Sequence, residues 1–443
     1  MAQSKLNHGW RIFRRSTQMV YAGLFAAAVF VREWVRRRGG EAPAMHAAGR
    51  AFVRLATQLG ATFIKIGQIA STRGDLLPRP LIVELSTLQD QVPAFPFDEV
   101  RRTIETELQA PLAQLFSSFD EQPVAAASVA QVHRAVWRPS GEVVAVKVRR
   151  PDILEKVQLD RSILLFVARL LEKLVPSLRL ISLEVSIRNF CDAVEQQIHL
   201  KNEADHNVRF TANFADDPDV HFPRLVPDGC SDAVLTMEFI EGIREPELEA
   251  HGADIRAIVE GGMRCVCRMI FSHGFVHSDL HPGNMRFFPP HRVVLLDLGL
   301  VGSLSDADRL MTARTLFAFA TGDGVTVARL FYENAPYKAV QDYPKFEAEM
   351  AAMVTTLRSR DLGNTQVTLE IGRIFDILRR HHIQARGHMT MINLALMTAE
   401  GLGKRLDPDL SLADAALPFL AEALGVSSAA GQGSTARLSN AAQ

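Results

Sequence analysis

The sequence predicts an α+β fold in which a small β-rich part lies between helical segments. A β-rich run that ends at Trp137 and a second run at 142–148 flank four turn residues, which is the pattern of a β-hairpin. Helical periodicity fills most of 45–91 and 151–210, and the chain after Gly302 is predicted to be almost wholly helical. With 443 residues, 47% of them hydrophobic, the chain can bury a sizeable core.

The composition is typical of a globular protein in a reducing compartment. The net charge of −1 indicates no nucleic-acid partner, and four cysteines without a Cys-x-x-Cys pair favour the cytoplasm. The last stretch, 427–443, is rich in Ala, Ser and Gly and is predicted to be disordered.

The first segment, 1–40, is basic and apolar. Eight Lys or Arg residues and a single acid, Glu33, flank the apolar run 19–31. This run is shorter than the about 20 residues that span a bilayer, and no convincing cleavage site of a secretory signal follows it. Two interpretations stay open: a helix on an anionic membrane surface, which would place the protein peripherally on the inner face, or a helix docked on the domain.

The next segment, 41–118, is predicted to be a helical extension. Its pattern is helical from 45 to 91, with a break at 71–78. Within it, Lys65 and Gln68 stand three residues apart and therefore share one helix face. Taken alone, this face indicates only a solvated surface.

An Ala-rich stretch leads into the hairpin, at a place where a nucleotide-binding hairpin needs a phosphate-cradling loop. The candidate loop residues are Ala125, Ala126, Ala127 and Ser128. Alanine adopts positive φ less readily than glycine, so the loop is predicted to be stiff and helix-prone, although its N–H groups can still face a phosphate. The alternative is a packing surface of small residues. Lys147, at the end of Val144-Ala145-Val146-Lys147, corresponds to the kinase lysine that contacts nucleotide phosphates.

The segment 119–242 is predicted to be a β-rich lobe with a helical insertion. Glu203, in the inserted helices, is the candidate acid partner of Lys147. A predicted strand then leads to Glu238 and Ile240, where a kinase-type hinge offers backbone groups to adenine.

The segment 243–426 is predicted to be a helical lobe that carries the most informative stretch. This stretch is Val276-His277-Ser278-Asp279-Leu280-His281-Pro282-Gly283-Asn284, with Asp297-Leu298-Gly299 thirteen residues later. Proline and glycine place Asp279 and Asn284 on a loop, and an apolar run delivers Asp297 from a buried strand. In phosphoryl transfer a loop Asp handles the hydroxyl proton, and oxygens of an Asn and an Asp hold Mg²⁺. Asp279 is therefore the candidate base, and Asn284 and Asp297 are the candidate metal ligands.

The two histidines of this stretch, His277 and His281, keep other interpretations open. Polar side chains in a turn often cap nearby backbone groups, and imidazole with carboxylate also binds zinc or iron.

In their order along the chain, these motifs resemble the UbiB/AarF family of atypical, protein-kinase-like proteins. The resemblance covers roughly 45–303 and rests on Lys65-Ile66-Gly67-Gln68, the Ala-rich stretch through Gln131-Val132-His133, Val144-Ala145-Val146-Lys147, His277-x-Asp279-x-His281-Pro282-Gly283-Asn284 and Asp297-Leu298-Gly299. It implies a protein-kinase-like two-lobed fold with an N-terminal helical extension and a largely helical C-terminal lobe.

The resemblance also implies roles for the candidate residues. Lys147 would contact phosphate and pair with Glu203, and Asp279 would be the base or position a water. Asn284 and Asp297 would hold Mg²⁺. Relatives bind ATP or ADP with Mg²⁺ and are linked to ubiquinone and other isoprenoid-lipid metabolism.

One part of the family pattern is altered in this sequence. The family's Lys-x-Gly-Gln helix lies over the active site and obstructs protein substrates, so Lys65 and Gln68 would be gating residues. Relatives carry acids six and four residues before the glutamate matched to Glu203, and those positions here are Gln197 and His199. Lys65 would then find another carboxylate, or its gating role would differ.

The sequence thus predicts a Mg²⁺-dependent, nucleotide-binding atypical kinase or ATPase that supports isoprenoid-quinone or lipid metabolism. Its expected partners are a nucleotide, an isoprenoid lipid or quinone precursor, and an anionic membrane surface. One alternative is a pseudokinase that senses nucleotide without turnover. Another is a metal-dependent phosphohydrolase built on His277, Asp279 and His281, which would have no need of Lys147.

Overall fold

A computed structural model describes residues 2–36, 41–71, 77–88, 93–174, 183–358, 367–408 and 412–425. The chain divides into two compact units. The first contains Met1–Thr72, Leu77–Asp205 and Arg224–Phe239, and the second contains Arg73–Leu76, His206–Pro223 and Ile240–Gln443. The predicted disordered tail and residues 72–76 of the predicted break lie outside the described residues.

The first unit combines a helical extension with an antiparallel sheet. Its helices are α1 (Ala2–Arg36), α2 (Glu41–Leu59), α3 (Ala61–Ser71), α4 (Arg79–Leu85), α5 (Phe97–Leu108), α6 (Leu112–Leu115), α7 (Ile153–Leu174), α8 (Leu183–Ile198) and the start of α9 (Leu200–Asn213). Its strands are β1 (Phe116–Phe119), β2 (Ala125–Ala126), β3 (Ala130–Trp137), β4 (Val143–Arg149) and β6 (Val234–Glu238). The strand order is β1-β3-β4-β6, and β2 pairs with β3.

The predicted hairpin is formed by β3 and β4. Its register pairs Val136 with Val143 and Val132 with Lys147. The turn closes because Gly141, at φ +72°, donates its N–H to Trp137 O at 2.8 Å. Glycine adopts such a positive φ without steric cost.

Strand alternation in β4 decides which side chains face the core. Val144 and Val146 are buried in a cluster with Val100 and Ile104 of α5. Because successive side chains of a strand point to opposite faces, Lys147 lies on the other face. Leu200, at the start of α9, belongs to the cluster on that face, which directs the beginning of α9 toward Lys147.

The helices of the extension and of the helical insertion are shorter than the sequence pattern predicts. The helix predicted to begin near 45 is interrupted at Gly60, which at φ +88° ends α2 before α3 begins. The helix predicted to reach Gln91 ends at Leu85, and 89–92 lie outside the described residues. The helix predicted to run through Phe210 is interrupted at His199, between α8 and α9.

α1 docks on its neighbours through a face of small side chains and one buried ion pair. Ala22 and Ala26 are buried, and α1 packs mainly on α2. Arg15 donates to both carboxylate oxygens of the fully buried Asp160, at 2.6 and 2.8 Å, and to Leu59 O at 2.9 Å. One face of α1 therefore packs on the first unit, as the interpretation of a helix docked on the domain predicts. Among the described helices, none combines the length and the apolar character needed to cross a bilayer.

The second unit is mostly helical, as predicted. It contains the end of α9, then α10 (Ile255–Cys267), α11 (Asp306–Thr321), α12 (Gly324–Asn334), α13 (Tyr343–Arg358), α14 (Val367–Arg380), α15 (Gly387–Leu406) and α16 (Leu412–Ala423). Its short strands are β5 (Val220–His221), β7 (Phe275–His277), β8 (Met285–Phe288), β9 (Arg292–Leu295), β10 (Val301–Ser303), β11 (Tyr337–Lys338) and β12 (Ile383–Gln384). The predicted α+β class is confirmed.

Two of the short sheets of the second unit fix the loop that carries the candidate residues. β5, β9 and β8 form one sheet, in which β8 and β9 are antiparallel, and β7 pairs with β10. The helix predicted before the loop is α10, capped at its start by Asp254, and it continues as one π-helical turn, Arg268–Ser272. The segment between β7 and β8 is therefore held at both ends.

Candidate functional site

The structure brings Lys147 and Glu203 together in the first unit. The Lys147 ammonium donates to both carboxylate oxygens of Glu203, at 2.9 and 2.8 Å. Lys147 is 9% exposed and Glu203 is 4% exposed, so neither charge is solvated as it would be at the surface. A buried charge requires its partner, and the pair therefore fixes the direction of the lysine side chain.

The backbone around Glu203 explains why the pair forms. Glu203 lies in the first turn of α9, and Leu200 at the start of that helix is 1% exposed. The Leu200 N–H donates to Asp232 O at 3.0 Å, which ties the start of α9 to the chain just before β6. β6 is the neighbour of β4 in the sheet, so the same connections set the position of Lys147.

The Ala-rich stretch is extended rather than helical, which corrects the helix-prone prediction. Ala125 and Ala126 form β2 and pair with β3, and the Ala127 N–H donates to Ala130 O at 2.8 Å across a tight turn. Arg150 donates its Nε–H to Ala127 O at 2.8 Å. Ladder hydrogen bonds outweigh the helix propensity of alanine, which is worth less than about 1 kcal/mol per residue.

Gln131 and His133 have a structural role that the sequence did not reveal. The His133 Nδ1–H donates to Asp120 O at 2.8 Å, and the Gln131 amide donates to His133 Nε2 at 3.0 Å. The Gln131 amide oxygen accepts the Phe95 N–H at 3.0 Å. Burial lowers the pKa of His133, which keeps the ring neutral and able to accept. These residues belong to the quoted family motif and hold the segment before α5 against β3.

The Lys-x-Gly-Gln motif lies on α3. A Cβ on Gly67 would come within 2.3 Å of the Leu88 side chain and 2.9 Å of the Phe52 ring, so a larger residue would require these two side chains to move. The Gln68 amide donates to Leu88 O at 3.3 Å. Lys65 and Gln68 are both half-buried. This packing explains the glycine, and the gating role of the two polar residues stays a prediction.

The altered positions Gln197 and His199 lie at the end of α8 and just after it. His199 Nδ1 is 2.7 Å from Asp232 Oδ1, and Arg149 donates to Asp232 Oδ2 at 2.5 Å. Burial alone would raise the pKa of Asp232, but hydrogen bonds from Arg149 and His199 outweigh it and lower that pKa. His199 thus anchors the start of α9. Within the described part of the chain, the buried amide nitrogen of Gln197 has no hydrogen-bond partner.

The predicted hinge follows the last strand of the first unit's sheet. β6 ends at Glu238, whose N–H donates to Arg224 O at 2.8 Å. The Phe239 N–H donates to Val143 O at 3.3 Å, and Ile240 is half-buried. The contacts of Glu238 and Ile240 with adenine stay a prediction.

In the second unit, Asp279 and Asn284 lie together on the predicted loop. Pro282–Asn284 form a single 3-10 turn between β7 and β8. The Asn284 amide nitrogen donates to Asp279 O at 3.2 Å and to Asp279 Oδ2 at 3.4 Å. These bonds occupy the nitrogen of the amide and leave its oxygen as the atom for a hard cation, which suits Mg²⁺. Asp279 is exposed, so its carboxylate is accessible to a ligand.

Both ring nitrogens of His277 are engaged by backbone groups. His277 Nδ1 accepts the Asp279 N–H at 3.0 Å, and the Nε2–H donates to Asp297 O. Burial is the largest influence and lowers the pKa of His277, so the ring is neutral. A ring that has no lone pair to spare cannot ligate a metal, which excludes His277 from a transition-metal site. Among the described residues, no three His, Cys, Asp or Glu side chains are grouped to hold a metal.

Asp297 follows β9 and is held by a tight turn. Asp297 Oδ1 accepts the Gly299 N–H at 2.9 Å, and the next residue, Leu298, is 1% exposed. His206 Nδ1 is 2.9 Å from Leu298 O. Hydrogen bonds from His206 and His277 to consecutive backbone oxygens therefore fix the peptide groups on either side of Leu298, which orients the Asp297 carboxylate.

Two family models match the chain. Residues 87–331 match the ABC1 atypical kinase-like domain, and residues 350–411 match the UbiB helical domain. The first match confirms the kinase-like part of the predicted fold class.

Curated relatives cover most of the chain. A protein named "Probable protein kinase UbiB" from Marinobacter nauticus is 35% identical over 377 residues, which are 83% of this chain and 69% of that protein. The protein of the same name from Tolumonas auensis is 32% identical over 423 residues, 94% of this chain and 76% of its own. A solved structure of a Mycobacterium tuberculosis protein in complex with erythromycin has 21% identity and a TM-score of 0.49, and covers 80% of this chain and 94% of its own.

Proposed function

The chain belongs to the UbiB family of ABC1 atypical kinase-like proteins, and we propose that it binds ATP or ADP with Mg²⁺ and acts as an atypical kinase or ATPase. This membership confirms the resemblance that the ordered motifs indicated. The observation that carries the proposal is the buried contact of Lys147 with Glu203, at 2.8 Å. A structural ion pair has no need to be buried at this strand position, whereas a phosphate-binding lysine must be held in one direction.

The remaining candidate residues have complementary roles in this proposal. Asp279 is the acid that accepts the hydroxyl proton of an acceptor or positions a water, because it is exposed and its backbone is held by His277. Asn284 and Asp297 are the metal ligands, since each offers an oxygen in a fixed turn. Bound Mg²⁺ would neutralise the charge that develops on the phosphate oxygens.

The nucleotide-binding backbone groups lie in the first unit. Ala127 and Ser128, in the tight turn after β2, are the proposed neighbours of the phosphates, and Arg150 holds that turn. The Ala127 N–H already donates to Ala130 O at 2.8 Å, so the N–H of Ser128 is the donor that we assign to a phosphate, and pairing of β2 with β3 fixes its position before a ligand arrives. Such preorganised donors contribute more to binding than a loop that must first become ordered.

We further propose that α1 places the protein on an anionic membrane surface, where isoprenoid lipids or quinone precursors are found. Opposite its docked face, α1 exposes large apolar side chains, among them Trp10, Phe13, Val20, Tyr21 and Leu24, of which Tyr21 is 72% exposed. Between 17 and 31 the exposed residues of α1 carry no charge, and Arg14, Arg32 and Arg36 stand at the two ends. An apolar stripe with basic ends is typical of helices that lie in the interface of anionic bilayers.

A pseudokinase that senses nucleotide is the second candidate, and the altered residues Gln197 and His199 favour it. In relatives those positions are acidic, whereas here His199 is used to anchor the start of α9. The pseudokinase binds nucleotide through the same residues but releases no phosphate. Binding and turnover therefore have to be measured separately.

Nucleotide-dependent thermal stabilisation tests the binding part of the proposal. A ligand at 100 times its dissociation constant adds about 2.7 kcal/mol, which is a clear shift in melting temperature. We expect ATP or ADP to stabilise the chain only with Mg²⁺, and Asp297→Asn to abolish the effect. Asp205→Asn, an exposed acid of α9, is the matched control and keeps the full shift. Equal stabilisation with and without Mg²⁺, or in Asp297→Asn, would refute the metal site.

A further inference from the structure

A cleft on the first unit is lined by three arginines and lies apart from the proposed nucleotide residues. It measures about 240 Å³ and is bordered by α5, the end of β4, the start of α7 and Ala233, which precedes β6. α5 packs on the face of the sheet that carries Val144 and Val146, whereas Lys147 lies on the other face. Lys147 and Glu203 do not belong to the described lining of the cleft. We call this site the arginine cleft.

Arg149, which lines the cleft, has N–H groups that the fold does not use. Its side chain is only 14% exposed. Nη1 donates to Asp232 Oδ2 at 2.5 Å, to Asp232 O at 3.1 Å and to Ile198 O at 3.4 Å. Among the described residues, no acceptor is bonded to its Nε or Nη2. Largely buried donors cost free energy when they stay unpaired, so these groups favour an acceptor that enters from the cleft.

Arg102 and Arg150 add two further cations to the lining. Arg102 of α5 is exposed, and within the described part of the chain its guanidinium has no ion pair or hydrogen bond. Arg150 is held in place, because it donates to Ala127 O and to Pro93 O, each at 2.8 Å, and lies 5.4 Å from the centroid of the Phe95 ring. The cleft thus combines a fixed cation with an exposed one that can turn toward a ligand.

The acidic residues of the lining are fewer than the arginines. Glu107 and Asp152 are its two carboxylates, which leaves an excess of one positive charge, and Glu107 accepts a hydrogen bond from the Ser231 hydroxyl at 2.8 Å. The lining also includes Leu154, in the first turn of α7, where backbone N–H groups have no intrahelical acceptor. Both the charge of the lining and its unused donors therefore favour an anion.

We propose that the arginine cleft binds a small phosphate-type oxyanion, either free phosphate or the phosphate group of a small metabolite. A guanidinium can donate two parallel hydrogen bonds to such an oxyanion, and Arg149 has Nε–H and Nη2–H available on one edge of its fork. Arg102 supplies a second cation to the same ligand. A water molecule takes roughly 30 Å³ in the liquid, so 240 Å³ has room for a phosphate ion and part of its hydration shell. This proposal does not rest on the proposed nucleotide function.

Isothermal titration calorimetry of the full chain without Mg²⁺ tests the binding site. The probes are inorganic phosphate and glycerol 3-phosphate, and sodium chloride of the same ionic strength is the control. We expect saturable binding at a single site with at least one phosphate probe and no saturable binding of chloride. Tighter binding of glycerol 3-phosphate would assign the cleft to phosphorylated metabolites, and equal or tighter binding of inorganic phosphate would assign it to the free ion. Heats that do not saturate with either probe would overturn the proposal.

Replacement of the lining arginines provides the matched comparison. Arg102→Ala and Arg149→Lys should each weaken phosphate binding about tenfold, the effect of losing a charge-assisted hydrogen bond. Arg101→Ala is the control, because Arg101 is an exposed arginine of the same helix that does not line the cleft, and it should keep the parent affinity. An unchanged affinity in Arg102→Ala would overturn the proposal. If Arg149→Lys does not fold, Arg102→Glu replaces it and should abolish binding.

A second titration in the presence of saturating Mg-ADP separates this inference from the proposed function. We expect the phosphate affinity to stay the same, since Lys147 and Glu203 lie outside the lining of the cleft. Loss of phosphate binding with Mg-ADP present would place the phosphate in the nucleotide site, which would refute the arginine cleft and support the proposed function. Arg102-dependent phosphate binding by a chain that binds no nucleotide would support the arginine cleft and refute the proposed function.

Discussion

Exchanging Lys147 for methionine removes a buried cation while keeping a side chain of similar length. The carboxylate of Glu203, 4% exposed, then stays buried without its partner. Loss of one member of a buried pair costs about 3–5 kcal/mol, and at these exposures solvent screening reduces the cost little. For a unit of 150–250 residues, each kcal/mol lowers the melting temperature by about 2–4 °C. We therefore expect Lys147→Met to melt roughly 6–20 °C lower.

The double variant Lys147→Met/Glu203→Leu separates stability from function. Replacement of both charges by apolar groups removes the desolvation cost of each, so the melting temperature should return to the parent value or exceed it. Neither variant should gain the Mg-ATP stabilisation of the parent, since both lack the phosphate-binding cation. The assay is thermal unfolding followed by circular dichroism, with and without Mg-ATP.

Lys201→Met is the control, because Lys201 is an exposed lysine in the same helix as Glu203. It should keep both the melting temperature and the nucleotide-dependent shift. The interpretation of the pair would be refuted by a Lys147→Met variant that melts like the parent, or by a double variant whose loss equals the sum of the single losses. A double variant that is restored in stability and is still stabilised by Mg-ATP would remove Lys147 from the nucleotide site.

Three further predictions concern pH, packing and membranes. Burial lowers the pKa of His133, His273, His277 and His388, so these rings are neutral in the fold and protonate on unfolding. The contribution of these neutral rings to the free energy of unfolding is complete above about pH 6.5 and is lost as the pH falls toward their lowered pKa values. The loss is up to about 1.4 kcal/mol per pH unit for each ring, and urea titrations at several pH values would measure it. A free energy of unfolding that does not change between pH 7 and 5 would contradict this prediction. His133→Gln should reduce the slope of the free energy of unfolding against pH, whereas His251→Gln, at an exposed position, should leave it unchanged. Gly67→Ala should lower the free energy of unfolding by about 1–3 kcal/mol in thermal unfolding, because the new Cβ would overlap Leu88. Gly401→Ala should not lower it, and equal stabilities of the two variants would argue against the tight contact at Gly67. The double variant Tyr21→Ser/Leu24→Ser should reduce flotation with anionic vesicles several-fold, whereas Val208→Ser, at an exposed position of α9, should not change it. Flotation of the α1 variant at the parent level would refute the proposal that α1 binds a membrane surface.

The structural features around the candidate site that the sequence predicted correctly are those set by local signals. Pro282 and Gly283 exclude a regular helix or strand, so the loop around Asp279 could be predicted from residue types alone. The strand of Lys147 was predicted because its apolar residues are β-rich and follow a turn. Glu203 was a candidate from its place in a helix pattern, and the structure brings it to within 2.8 Å of Lys147.

The parts that the sequence missed depend on contacts between distant residues. Nothing near Gly67 in the chain reveals that Leu88 would occupy the space of its Cβ. Ala125 and Ala126 favour a helix by propensity, but pairing with Val132 and Gln131 makes them a strand. The interruption at His199 reflects its contact with Asp232, which is far along the chain. Helical periodicity continues through such positions because it reports burial and not hydrogen bonding.

α1 shows why both interpretations of the N-terminal segment were plausible. Its apolar residues occupy two faces, of which the small ones, Ala22 and Ala26, pack on the domain and the large ones remain exposed. A count of apolar residues cannot separate two such faces, whereas the structure does so through the buried pair of Arg15 and Asp160.

The most direct test of the proposed function is phosphate release from Mg-ATP by the purified chain and by Asp279→Asn. The account predicts steady release by the parent and a loss of about 10²–10⁴-fold in Asp279→Asn, the range that general-base catalysis contributes, with Mg-ATP stabilisation unchanged. Asp205→Asn should release phosphate at the parent rate. An unaltered rate in Asp279→Asn would remove that residue from catalysis, and stabilisation without any release by the parent would identify a nucleotide-sensing pseudokinase instead of an enzyme.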